Sequence, residues 1–186
     1  EAMHTQEHVC FNASAQKFGH DVDRLDRITD RVIQSTRKVF TFLGKPVGIT
    51  QEMVDLTATT ALEHFTATIA SQLLVNPYIQ ELMTDETMKT MWLWHAIEEN
   101  EHTAVAYDVF EGVFGRGLKA YALRTGSLVT AMATLFVVQS YFVLRLLQDD
   151  KQLNLTSLKD IYIYAYSPSK GVITGMTKEM LVYFRP

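Results

Sequence analysis

The stretch Trp92-Leu-Trp-His-Ala-Ile-Glu-Glu-Asn-Glu-His102 constrains this chain more than any other, because it sets two histidines and three carboxylates in an otherwise apolar, helix-like segment. At about 100° per residue, His95, Glu98, Glu99 and His102 fall within one helical sector about 100° wide, and Glu101 points away. The same face continues through Ala106, Val109, Phe110 and Val113, so the sector is expected to face a core. Buried carboxylates need a partner, and a metal ion is the usual one when imidazoles share the face.

A second face of this kind stands at the start. Residues 1–18 contain no proline or glycine and keep helical spacing, which gathers Glu1, His4 and His8 into a sector of about 60°. The one cysteine, Cys10, excludes an internal disulfide and a thiolate cluster, so the ligands must be nitrogen and oxygen. Asp21 is the expected N-cap of a helix over about residues 22–43, with Leu25, Ile28, Val32 and Val39 as its buried stripe. Gly44-Lys-Pro-Val-Gly48 reads as a turn, and Thr50 opens a third helix that runs to Val75. On that helix Glu63 shares a stripe with Leu56, Thr59, Thr60, Ala67, Ala70 and Leu74, small and apolar side chains that suit close packing around a cofactor. Asn76-Pro77 marks a turn or boundary, and Thr84 or Asp85 caps a fourth helix over about residues 86–114. If the third and fourth helices form an antiparallel hairpin, Glu63 and Glu99 stand at nearly the same height, because each lies about 20 Å from the connecting turn.

Residues 118–147 form a long apolar helix with no charge between Thr125 and Leu144. That length meets the criterion for a membrane span. Its scattered threonines, Gln139 and Ser140, and the lack of a basic flank asymmetry, favour a buried central helix of a bundle instead. Thr156 is expected to cap a short tyrosine-rich helix, Ser167-Pro168 breaks it, and a last helix leads toward Tyr183. The net charge of −4, with acidic and basic residues interspersed, excludes a nucleic-acid footprint and a polybasic membrane patch. Without a signal peptide, and with a single cysteine, the chain fits a reducing, cytoplasmic compartment. It opens inside a helix without methionine, so an upstream helix is expected to be missing from a single metal-binding domain over residues 1–186.

Glu1-Ala-Met-His4 and Glu99-Asn-Glu-His102 are both Glu-x-x-His, the spacing that lets a carboxylate and an imidazole reach one ion. In ferritin-like di-metal proteins two helices each give Glu-x-x-His and two others each give one Glu. Glu63 fits one of the single positions, and the other falls upstream of residue 1. The opening Glu-Ala-Met-His-Thr-Gln-Glu-His with Phe11-Asn12, and Trp-x-Trp-His-x-x-Glu-Glu-x-Glu-His with the later Tyr-Asp, resemble the bacterial family of predicted metal-dependent hydrolases. The resemblance spans nearly the whole chain and implies a ferritin-like metal core.

The expectation is therefore an all-α, ferritin-like helical bundle with additional C-terminal helices. Its first ligands are Glu1, His4, Glu63, Glu99 and His102. His8 and His95 exceed what two ions require; they either ligate as well, as extra nitrogen ligands or around a third ion, or hydrogen-bond the ligating carboxylates. Glu98, at the sector's edge, is assigned the catalytic proton-carrying role, with ligation or pairing to His95 as alternatives. His64 is rotated 100° from Glu63, and His20 at a helix break reads as a surface or capping residue. Oxygen-rich sites of this kind suit two or three iron or manganese ions. Oxidation of a small organic substrate, with O₂ as co-substrate and an electron donor as partner, is preferred over hydrolysis by metal-activated water. No cationic or oxyanion-stabilising group lies close to the motifs in sequence. A helical bundle with an exposed apolar helix often forms a homodimer, and no nucleic-acid or membrane partner is expected.

Overall fold

Small side chains on one long helix set the architecture. A computed structural model describes the backbone of residues 2–185 and side chains from residue 5 to residue 185. It is all helical: α1 (Ala2–Lys17), α2 (Val22–Gly44), a 3₁₀ turn (Lys45–Val47), α3 (Gln51–Val75), α4 (Pro77–Leu82), α5 (Glu86–Phe114), α6 (Leu118–Asp149), α7 (Leu155–Tyr166) and α8 (Val172–Val182). Among the described residues there is no strand.

Helix α3 lies at the centre, against α5, α6 and α8. Its buried residues Thr57, Thr60, Ala61, Ala67, Thr68 and Ala70 are small enough for neighbouring backbones to approach closely. The threonine hydroxyls satisfy themselves on their own helix, Thr60 donating to Leu56 O (2.8 Å) and Thr68 to His64 O (2.7 Å). Three hydrogen bonds then fix α5 antiparallel to α3: Ser71 Oγ to Asn100 Oδ1 (2.9 Å), Thr103 Oγ1 to Glu63 O (3.2 Å) and Thr60 Oγ1 to Ala106 O (3.3 Å). Glu63 therefore stands level with Thr103, one turn from Glu99, close to the height match the helix lengths require.

The caps behave as the sequence predicts at Asp21, Thr50 and Asp85, each of which accepts from a backbone N–H three residues on. Asn154, not Thr156, caps α7, accepting from Ser157 N at 3.0 Å, so that helix begins earlier than expected. Asn76-Pro77, expected as a turn or boundary, is the boundary of α3 and opens a further short helix: Asn76 is its cap and Pro77 takes the first position, where a missing N–H costs nothing. At the start of the 3₁₀ turn Gly44 packs directly on Ile49, where a Cβ would sit 2.7 Å from the Ile49 Cβ.

The most tightly packed core lies between α3, α4, α6 and α8, built from Ala61, Ile79, Leu128, Val172, Met176, Met180 and Tyr183. Two expectations fail here. Helix α2 buries no residue fully, and Val39 of its supposed stripe is 53 % exposed. Helix α6 is not a buried bundle helix: only Ala120, Arg124, Leu128 and Val138 are buried, and Phe136 and Val137 are open to solvent. Periodicity locates the apolar residues of a helix without saying what covers them. Among the described residues α6 is also the one helix long and apolar enough to cross a membrane.

Because Leu128 is fully enclosed, Leu128→Ala should lower the unfolding free energy by about 2–5 kcal/mol. Urea unfolding followed by far-ultraviolet circular dichroism measures it.

Candidate metal centre

Helix α5 carries the largest share of the donor side chains. Capped by Asp85 and begun with Glu86, it holds His95, Glu98, Glu99 and His102 half-buried along one face, while Glu101 is exposed as the helical spacing predicts. His95 Nε2 lies 3.7 Å from Glu99 Oε1, one turn along the same helix. Glu98 Oε2 and, from α3, Glu63 Oε2 are both shut off from solvent. The face does not run on into a core as expected: Phe110 is buried, but Val109 and Val113 are each about half exposed. The donors sit on a side wall of the bundle.

Helix α1 reaches this wall. The His8 ring stands edge-on to His95 with centroids 4.9 Å apart, and Trp92 is edge-on to His95 at 5.4 Å and to His8 at 6.3 Å. Phe11 packs on Trp92 at 5.6 Å. Trp92 is thus a half-buried wall against which both imidazoles rest. Trp94, on the other side of α5, joins Met91, Thr90 and Glu7 around a shallow open cleft.

Of the residues the sequence singles out, the structure brings His8, His95 and Glu99 into one neighbourhood and sets Glu63 against the Glu99–Thr103 turn of α5. Glu1 and the side chain of His4 lie outside the described residues. Among the described residues no three His, Cys, Asp or Glu side chains close on one point.

His64 faces away from this wall. It stacks on Tyr183 at 4.5 Å, its Nε2 is buried, and burial, reinforced by the Arg124 charge, lowers its pKa against the opposing effect of a hydrogen bond to the Glu179 backbone. Its 100° rotation from Glu63 thus takes it into the α8 core. His20 packs at the far end of the bundle, with Nε2 3.6 Å from Asp150 Oδ1.

Sequence reasoning passed over Arg124. It is 9 % exposed, donates to Tyr107 Oη (2.8 Å) and Arg185 O (2.5 Å), and lies over the rings of Tyr107, Tyr121 and Tyr183 at 5.1–5.7 Å. Tyr121 Oη donates to Phe184 O (2.8 Å), so α6 ties down the segment after α8. The sequence signal was available: one arginine at the threshold of an uncharged stretch.

A family model described as predicted metal-dependent hydrolase matches residues 1–186. No curated protein and no solved structure matches the chain. The description carries metal dependence and hydrolysis, and names neither iron, manganese nor O₂. It overturns the preference for an oxidoreductase, since hydrolysis adds water across a bond and draws on neither O₂ nor an electron donor.

Replacing Arg124 with Met should remove two charge-assisted hydrogen bonds, at about 1.5–3 kcal/mol each. Amide hydrogen exchange in residues 176–185 should accelerate more than in α5; equal protection in both variants would contradict this anchoring.

Proposed function

The chain belongs to the family of predicted metal-dependent hydrolases, and we propose that it hydrolyses a small-molecule substrate with two divalent ions held at the wall shared by α1, α3 and α5. The observation that carries the reading is the meeting of His8 of α1 with His95 of α5, one turn from Glu99, on the wall where α5 holds the Glu63 backbone of α3. Glu1, His4 and His102 complete the proposed donors. The set fits a divalent ion chemically, because imidazoles and carboxylates are the ordinary ligands of zinc, manganese and iron. Seven donors also exceed the four to six that a single ion takes.

Bound ions supply Lewis acidity toward a carbonyl or phosphoryl oxygen and acidify water at neutral pH. The protein's own contribution is positional. The α3–α5 hydrogen bonds hold the Glu63 backbone against the Glu99–Thr103 turn, so these donors cannot drift by a helical turn relative to one another. Trp92 supports the His8 and His95 rings from the side. Glu98, at the edge of the donor face with Oε2 withdrawn from water, is the proposed general base that takes the proton from the attacking water. Half-exposed Val109 and Val113 continue the face as an apolar floor for the substrate's non-reacting part.

Purified protein should cleave activated carboxylic or phosphate esters in a reaction stopped by a chelator and restored by Zn²⁺ or Mn²⁺. Glu98→Gln should keep its metal content and lose about 10²–10⁴-fold in kcat, whereas His102→Ala should lose metal. Ester cleavage that ignores the chelator, or full activity in Glu98→Gln, would refute these assignments.

A further inference from the structure

The side of α3 opposite the donors opens on a feature that the metal chemistry does not use. Between α2 and α6 lies a trough of about 550 Å³, floored by Val54, Ala58 and Leu62 of α3 and walled by apolar side chains of both flanking helices. Its α6 wall runs from Ala122 to Val138, about 24 Å at the helical rise. The volume is that of a small-molecule site, and the length exceeds the ~15 Å that an acyl chain spans in one leaflet of a bilayer. Wall residues Ile33, Leu43 and Val47 remain more than half exposed, so the trough is not filled by the chain itself.

The polar groups are unevenly placed. Inside the trough, Arg37 is matched by Asp55 through a two-pronged ion pair, with Nε 2.6 Å from Oδ1, and offers no net charge to a ligand. At the end closed by the 3₁₀ turn stand two lysines: Lys45, between the lining residues Gly44 and Val47, and Lys119, whose Nζ is 3.4 Å from Val47 O. The nearby Arg116 is occupied by Glu111. At the opposite end, beyond Val138 and Thr29, the carboxylates that close α6 are matched, Asp149 by Arg145 at 3.3 Å and Asp150 by His20 at 3.6 Å. The 3₁₀-turn end, with its two lysines, is the end that attracts an anion.

We propose that this trough binds a long-chain fatty acid, its chain lying between α2 and α6 and its carboxylate against Lys45 and Lys119. A recess of single-chain width and length, apolar along its walls and cationic at one end, has the shape and polarity of that ligand. The site is independent of the metal reading, because Val54, Ala58 and Leu62 form a stripe of α3 that faces away from Glu63.

The test is palmitate binding to the purified protein, followed by displacement of a fluorescent fatty acid. Wild type should bind one palmitate. Gly126 lines the trough, and a Cβ there meets nothing within 4 Å. Gly126→Phe should therefore fill the recess and weaken binding by about tenfold or more, with an unchanged melting temperature to show that α6 is intact. The double variant Lys45→Glu/Lys119→Glu should weaken palmitate about fivefold, as expected for exposed charges, and leave hexadecanol unaffected. Absence of palmitate binding to wild type, or equal binding by Gly126→Phe, overturns the proposal. So does a concentration-dependent dimer that Gly126→Phe dissociates, which would assign the trough to a second copy. Co-sedimentation with phosphatidylglycerol vesicles without binding of monomeric palmitate would overturn it in favour of a membrane surface.

Discussion

The antiparallel contact between α3 and α5 is the constraint on which the rest depends. It exists because α3 presents alanines and threonines where a globular helix ordinarily presents leucines, so the two backbones come close enough for Thr60 and Thr103 to hydrogen-bond across the gap. Each of those bonds runs from a threonine hydroxyl to a backbone carbonyl of the facing helix, which makes them sensitive to register. A slip of one residue would rotate Glu63 by about 100° relative to α5 and take it off the donor wall. Packing and chemistry are thus set by the same few atoms.

Three faces of α3 then do three separate jobs. The face toward α5 carries Glu63; the face toward α8 carries Ala61 and His64 into the enclosed core around Leu128 and Tyr183; the face toward α2 and α6 is left largely uncovered. The division explains why adjacent residues differ so much. Leu62, Glu63 and His64 point successively into the trough, the donor wall and the core, as the helical rotation requires. It also explains why α2 and α6 keep so much apolar surface exposed: both flank α3 on its least covered side.

Much of this was legible in the sequence, and the reasons differ by element. The caps at Asp21, Thr50 and Asp85, and the starts of the helices they open, followed from local chemistry, which the tertiary structure does not override. The rotation of Glu101 to solvent and the antiparallel register of Glu63 on α5 followed from helical geometry alone. Helix α4 was missed because Asn-Pro marks a turn and a helix start equally well, and the short helix is chosen by packing of Ile79 into the α8 core. The exposure of α6, the openness of Val109 and Val113, and the part played by Arg124 all depend on which elements come together, which periodicity within one helix does not encode. The chemistry was misread for a related reason: carboxylates and imidazoles identify a metal site, while the choice between oxidation and hydrolysis rests on groups outside the motif.

The central claim is that ions sit on the α1–α3–α5 wall. Anomalous diffraction from crystals of the Zn²⁺- or Mn²⁺-loaded protein, recorded on both sides of the metal's absorption edge, addresses it most directly. The account predicts two peaks between the three helices, with Glu63, Glu99 and His102 at ligand distances of about 2.0–2.2 Å. A fully occupied peak elsewhere in the molecule, or crystals with no anomalous signal on this wall after metal loading, would contradict it.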